Sequence, residues 1–318
     1  MVKKVLLASP RGYCAGVERA VETVERALEL YGPPVYVRKQ IVHNLHVVRD
    51  LEARGAVFVE EETEVPEGET VVFSAHGVAP SVHANAESRR LTTIDATCPL
   101  VTKVHVQARR YAAEGYTVLL IGHAGHEEVV GTMGEAPGAI VLVESVANVD
   151  ALHFPPETRL AYVTQTTLSV DETGEIIGAL RRRFPEIHAP KKEDICYATS
   201  NRQWAVKEML NEIDLLLVIG SRNSSNSNRL VETAHAAGVA AYLIDDETEI
   251  EPAWFDEVEI VGITSGASAP EKLVERVCDW FRAYGVEQID SYRLVDEGVE
   301  FRLPVELRRE LALAETQA

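Results

Sequence analysis

Apolar residues in this chain gather into short, near-continuous runs, separated by longer stretches in which they recur every three or four positions. Runs such as Val118-Leu119-Leu120-Ile121 and Leu215-Leu216-Leu217-Val218-Ile219 are too short for helices. They are also too uniformly apolar for strands with one wet face, so they predict strands covered on both sides. The amphipathic stretches between them predict helices, and the alternation of the two indicates parallel α/β units.

The alternation is itself repeated, and three cysteines mark the period. Cys14, Cys98 and Cys196 each end a strand-like run and open a helix-like one, predicted over 17–30, 101–114 and 202–212. Each helix leads to a strand, at 35–37, 118–121 and 215–219, with the same 24-residue interval from Cys98 to Gly122 and from Cys196 to Gly220. A polar loop follows in every case: Val42-His43-Asn44, the segment from His123 to Glu128, and the segment from Ser221 to Asn228. His43, His126 and Ser224 lie 29, 28 and 28 residues beyond their cysteines. Helices at 45–54, 129–133 and 230–237 and strands at 56–59, 140–143 and 241–244 come next. A third strand then closes each unit, at 70–73, 160–163 and 260–263, and ends in a second polar loop: Ser74-Ala75-His76-Gly77, Thr164-Gln165-Thr166-Thr167, and Thr264 to Ser268.

This order divides the chain into α/β units at 14–96, 97–194 and 195–290, the third completed by an N-terminal strand within 1–13. A C-terminal tail at 291–318 matches no part of the repeat. Three such units most simply pack about a pseudo-threefold axis, and that arrangement is the expectation for the fold. Ligands of parallel sheets sit beyond the carboxyl ends of the strands, where helix N-termini offer unpaired N–H groups to anions. All six polar loops are predicted at such ends.

Composition narrows the partners. The net charge is −19 and no long basic stripe interrupts it, which argues against a nucleic-acid or anionic-membrane surface. The apolar stretch after Lys3-Lys4 is too short for a signal segment, and no run approaches the roughly 18 residues of a membrane span. A cytoplasmic location is expected.

Four cysteines without CxxC spacing suit neither a disulfide scaffold nor a zinc finger. The plainer reading of a lone cysteine is a small buried hydrophobe, and Cys278 fits it, because Leu273, Val274, Val277, Cys278 and Phe281 share one helical face. Three cysteines at equivalent points favour instead an iron-sulfur cluster with one iron left open, or else zinc with three thiolates and a water. His43, His76 and His126 stand in the polar loops and can donate to phosphate oxygens, as can Ser224, Ser225, Asn226 and Ser268. Helix capping is the competing role for the serines and the asparagine. Glu128 is placed to deliver a proton, or simply to favour a helix N-terminus.

The motifs PRGYCAGV (10–17), VHN (42–44), SAHG (74–77), DATCPLV (95–101), GHEEVVGTMG (125–134), TQTTLS (164–169), ICYATSNRQ (195–203), GSRNSSNSNRL (220–230) and SGASAP (265–270) run in order along nearly the whole chain. Together they resemble the 4-hydroxy-3-methylbut-2-enyl diphosphate reductase family. The resemblance implies a trefoil of three α/β units around one 4Fe-4S cluster held by Cys14, Cys98 and Cys196. It also implies reductive dehydroxylation of an allylic diphosphate to isopentenyl and dimethylallyl diphosphate, the last step of the non-mevalonate isoprenoid pathway. His43, His76, His126, Ser224, Ser225, Asn226 and Ser268 would contact the diphosphate or its pocket. Thr166 would lie near the substrate hydroxyl, Glu128 would supply protons with His126 beside it, and electrons would come from an external donor of ferredoxin or flavodoxin type. One departure stands out: many relatives have His-Pro-Glu where this chain has His126-Glu127-Glu128, so two adjacent carboxylates compete for the acid's role. The His-x-Glu register favours Glu128.

Overall fold

The structure is a computed structural model and describes residues 2–317. From the N-terminus run β1 (Lys4–Ser9), α1 (Ala15–Tyr31), β2 (Val35–Arg38), α2 (Leu45–Ala53), β3 (Ala56–Val59), β4 (Thr70–Phe73), α3 (Pro80–Ser88) and β5 (Thr92–Asp95). Next come α4 (Pro99–Ala113), β6 (Thr117–Ile121), α5 (Glu127–Gly134), β7 (Ile140–Val143), α6 (Val146–Ala151), β8 (Leu160–Thr164) and α7 (Val170–Arg183). The remainder comprises α8 (Tyr197–Met209), β9 (Leu215–Ile219), α9 (Ser225–Ala236), β10 (Ala240–Ile244), β11 (Ile260–Ser265), α10 (Glu271–Ala283), β12 (Gln288–Arg293) and α11 (Val305–Gln317).

The strands form three sheets, ordered β10-β9-β11-β1-β12, β3-β2-β4-β5 and β7-β6-β8, and every pairing is parallel. The three parallel-sheet α/β units expected from the repeat are thus present. From β2, β6 and β9 the chain goes outward once, to β3, β7 and β10, and then returns to the other side of the strand it left, so β2/β4, β6/β8 and β9/β11 flank a switch in strand order. Crevices that bind ligands open at such switches.

The chain divides into two compact units. One comprises 2–17, 43–47 and 197–300, the other 18–42, 48–196 and 301–317. In the first, Leu215, Leu217 and Ile219 of β9 pack with Leu273, Val277 and Phe281 of α10, while Leu216 and Val218 turn to Met209 of α8 and Leu230 of α9. Both faces of the strand are therefore apolar, which accounts for its uninterrupted hydrophobic run; each such side chain contributes roughly 1.5–3 kcal/mol by burial. In the second unit Val118 and Leu120 of β6 face Val104 and Ala108 of α4, and Leu119 and Ile121 face Ile176 and Leu180 of α7. Cys278 is buried in the core beside Val277 and Phe281.

Three features depart from the sequence pattern. Between α7 and Cys196 there is no strand; a single parallel bridge from Ala161 to His188 stands in its place. Pro190 lacks the donor a ladder needs, and Lys191-Lys192-Glu193-Asp194 supplies no apolar face. Strand β12 spans position 291, where the pattern placed the start of the tail: its QIDSYR sequence has little apolar content because it is an edge strand, held to β1 by backbone pairing. Helices α5 and α8 begin at Glu127 and Tyr197, earlier than their apolar periodicity indicates. The start of α5 is set by its cap, since the His126 side chain accepts from the Glu128 N–H.

Candidate active site

Each of the three repeat cysteines stands immediately before a helix: Cys14 before α1, Cys98 at the N-cap of α4 and Cys196 before α8. Their backbone anchoring is the same in all three. The Cys14 N–H donates to Ala267 O at 3.2 Å, the Cys98 N–H to Ala75 O at 3.0 Å and the Cys196 N–H to Thr166 O at 3.0 Å. Each acceptor is the second residue after the strand that leads into the unit's second polar loop: β11, β4 and β8. The three thiols are half-buried and in no disulfide, in contrast to the buried Cys278. Half-buried cysteine sulfurs suit a soft metal such as iron or zinc. The donor set therefore fits an iron-sulfur group.

In the second unit, β8 ends at Thr164 and α5 starts at Glu127, which brings the loop after β8 against the first turn of the helix. Glu128 is 2% exposed. Its Oε1 accepts the Thr166 N–H at 2.6 Å and its Oε2 lies 2.9 Å from Thr166 Oγ1. Burial pushes the Glu128 carboxyl above its ordinary range, against the opposing pull of the two Thr166 hydrogen bonds and the nearby His76 and His105. The result is a carboxyl that holds a proton more tightly than a free glutamate and lies in hydrogen-bond contact with a hydroxyl.

Glu127 does something else. Its Oε2 sits 3.1 Å from His76 Nδ1, which is also 3.3 Å from Ser74 Oγ. The two adjacent carboxylates are thus separated by the helical turn: Glu127 lies within ion-pair distance of an imidazole, and Glu128 points inward to Thr166. His126 Nδ1 accepts the Glu128 N–H at 3.2 Å, which leaves Nε2 to carry the ring hydrogen of the neutral tautomer. The His76 and His126 rings meet edge to face at 5.9 Å. Gly131 permits this close seat of α5: a Cβ there would lie 3.1 Å from Gly77 O and 3.2 Å from His105 Cε1.

In the first unit, the loops after β9 and β11 and residues 43–47 supply the other expected donors. Ser224 caps α9, its Oγ accepting from the Ser227 N–H, and Ser225 is the first residue of that helix. Asn226, buried, accepts the Ala267 N–H at 2.8 Å through Oδ1 and places Nδ2 3.4 Å from Thr199 Oγ1. Asn226 therefore braces the loop whose Ala267 carbonyl holds Cys14. The Ser268 hydroxyl donates to His43 O at 2.8 Å. Ser227 fills the gap between Gly220 and Gly266, where a Cβ would come within 2.2 Å and 2.0 Å of its Oγ.

The structure groups His76, His126, Glu128 and Thr166 in one unit, and His43, Ser224, Ser225, Asn226 and Ser268 in the other. Sequence reasoning passed over Asn44, which is fully buried and caps α2 by accepting from His46 and Val47 N–H while its Nδ2 has no partner. The VHN motif and the helix start after it were the available signal. It also passed over three cations beside the cysteine loops, Arg19, Lys103 and Arg202, whose basic side chains read as ordinary helix surface.

Residues 5–282 match the family model described as LytB protein. The chain is 62% identical over 313 residues to the 4-hydroxy-3-methylbut-2-enyl diphosphate reductase of Acidothermus cellulolyticus, covering 97% of this chain and 91% of the relative. Identity to the reductase of the same description from Mycolicibacterium paratuberculosis is 61%, over 96% and 92% of the two chains. Among solved structures, the E-1-hydroxy-2-methyl-but-2-enyl-4-diphosphate reductase of Plasmodium falciparum superposes with a TM-score of 0.95 at 38% identity, covering 100% of this chain and 99% of that one. A second solved structure, described as (E)-4-hydroxy-3-methyl-but-2-enyl diphosphate reductase, the terminal enzyme of the non-mevalonate pathway, matches with a TM-score of 0.63 at 33% identity over 89% and 100% of the chains.

Proposed function

The chain belongs to the LytB protein family, and we propose that it is an oxidoreductase that removes the hydroxyl of (E)-4-hydroxy-3-methylbut-2-enyl diphosphate. The observation that carries this reading is the common setting of Cys14, Cys98 and Cys196, each at a helix start and each hydrogen-bonded to its unit's second polar loop. These residues would hold one 4Fe-4S cluster through three thiolates. When bound, that group supplies electrons and an open iron for the substrate's oxygen.

The reaction consumes two electrons and two protons: the allylic C–O bond breaks, water leaves, and a C–H bond forms at either end of the allyl system. Isopentenyl and dimethylallyl diphosphate are the two outcomes. Glu128 is the proton source and Thr166 Oγ1, at 2.9 Å, its first acceptor toward the substrate hydroxyl. Burial raises the carboxyl's hold on the proton it would deliver. His126 presents Nε2–H, and with His43, His76, Ser224, Ser225, Asn226 and Ser268 it binds the diphosphate. Neutral donors at helix N-termini can do this in a protein of net charge −19 because they act at contact distance, whereas the global field is screened over about 8–10 Å. Electrons come from an external donor of ferredoxin or flavodoxin type. Among the described residues no helix is long and apolar enough to cross a membrane.

The test is anaerobic purification followed by incubation with the hydroxylated allylic diphosphate, with and without dithionite and a mediator. Reductant-dependent release of the two isomeric diphosphates is expected. Equal turnover without reductant points to an iron-sulfur hydro-lyase instead, and no turnover in a cluster-loaded sample removes the proposal.

A further inference from the structure

Arg19, Lys103 and Arg202 lie five, five and six residues beyond Cys14, Cys98 and Cys196, on the helix that each cysteine opens. None of them turns back to its own cysteine. Each reaches the segment leading into the next one in cyclic order. Arg19 of α1 donates through Nη1 to Ala96 O at 2.9 Å and Thr97 O at 3.0 Å, directly ahead of Cys98. Lys103 of α4 donates to Glu193 O at 2.8 Å and Lys192 O at 3.2 Å and pairs with Asp194 Oδ1 at 3.0 Å, directly ahead of Cys196. Arg202 of α8 donates through Nη2 to Gly12 O at 2.8 Å, two residues ahead of Cys14. Helix capping or surface solvation would not produce one cation per cysteine with this offset three times.

The three differ in charge balance. Arg202, with no exposed surface, faces Glu297 Oε1 at 3.0 Å, and Lys103 faces the fully buried carboxylate of Asp194. Arg19 is 8% exposed, and its partners are four backbone carbonyls: Ala96, Thr97, Asp95 at 3.4 Å and Arg302 at 2.7 Å. Among the described residues no carboxylate lies within ion-pair distance of it. Asp95, Cys98 and Glu306 are the negative groups that act on its guanidinium, the two carboxylates from beyond pairing distance.

We propose that Arg19, Lys103 and Arg202 are positioning residues, each fixing the loop that presents one thiolate, and that Arg19, alone without a paired carboxylate, also sets the reduction potential of the metal centre. The inference rests on the reading of the three cysteines as cluster ligands. A multidentate cation ties consecutive carbonyls into one shape, and without it those carbonyls lose their donors and the loop relaxes. A centre that gains an electron becomes more negative, so a positive charge with no carboxylate in contact favours the reduced form. A neutral ion pair contributes far less.

The experiment compares the full-length unsubstituted protein, purified anaerobically, with Arg19→Gln, Arg19→Lys, and the charge-neutral doubles Lys103→Gln/Asp194→Asn and Arg202→Gln/Glu297→Gln. The readouts are iron per chain, rate of iron loss to a chelator, the spectrum of the reduced centre, midpoint potential and Tm. All three Gln variants should lose iron at least tenfold faster. Only Arg19→Gln should lower the equilibrium constant for one-electron reduction, by about tenfold, equivalent to about 59 mV. Arg19→Lys should restore the potential but only part of the iron retention, and it decides the matter should Arg19→Gln fail to fold. Unchanged iron loss, a potential shift shared equally by the doubles, or a lowered Tm with an unmoved potential overturns the proposal. An unsubstituted protein that binds no cluster overturns instead the reading on which it rests.

Discussion

Replacing Glu128 by Gln and by Ala separates the chemistry of this carboxyl from its structural contribution. The side chain is 2% exposed and meets Thr166 twice, through the N–H at 2.6 Å and Oγ1 at 2.9 Å. Glutamine has nearly the same volume, keeps an oxygen for the N–H and turns an NH2 toward the threonine hydroxyl, which can accept. Both contacts survive, so the stability change should stay within about 1 kcal/mol. Alanine strands the Thr166 N–H and opens a small cavity, costing about 2–4 kcal/mol. The pH dependence has a definite sign. Because burial raises the carboxyl's pKa in the folded state, the fold binds the proton more tightly than the unfolded chain, and stability falls as pH rises from the unfolded value through the folded one. Glutamine has no such loss, so the Tm of Glu128→Gln relative to the unsubstituted protein should increase with pH over that window and then level off. Turnover should fall about 10²–10⁴-fold, the usual worth of a general acid, with iron content unchanged. Thermal unfolding from pH 4 to 8 and single-turnover kinetics on the same samples provide the check. If Glu128→Gln destabilises as much as Ala, or Glu127→Gln abolishes turnover while Glu128→Gln does not, the division of labour between the two glutamates is wrong.

Removing Glu297 by substitution with Ala leaves the Arg202 guanidinium buried without its counter-ion and should cost about 3–5 kcal/mol in denaturant unfolding; further substitution of Arg202 by Met should recover a large share of that loss. Gly266→Ala drives a Cβ to 2.0 Å from Ser227 Oγ and should destabilise by about 1–3 kcal/mol. Adding Ser227→Ala should relieve most but not all of it in a Tm comparison, since the Cβ that alanine keeps still stands at 3.1 Å. Cys278→Ala should cost on the order of 1 kcal/mol and leave iron content untouched, whereas Ala at Cys14, Cys98 or Cys196 should abolish cluster retention in anaerobic iron assays.

The sequence by itself determined the three parallel-sheet units, because a strand covered on both faces must be apolar throughout, as β6 and β9 are, and a helix on its surface must carry a 3.6-residue stripe. It also marked the three cysteines, since a covalent repeat survives in residue spacing. Only tertiary structure decided what depends on backbone pairing and on direction. Strand β12 has almost no apolar pattern because hydrogen bonds to β1 hold it at an edge. The segment before Cys196 makes a lone bridge at His188, where Pro190 has no N–H to offer a ladder and the four charged residues after it offer no apolar face. Glu127 and Glu128 are chemically identical neighbours, and the turn of α5 alone sends one to His76 and the other to Thr166. Arg19, Lys103 and Arg202 are ordinary helix residues in the sequence; their carbonyl partners lie 77, 90 and 190 positions away, a distance no local pattern can encode.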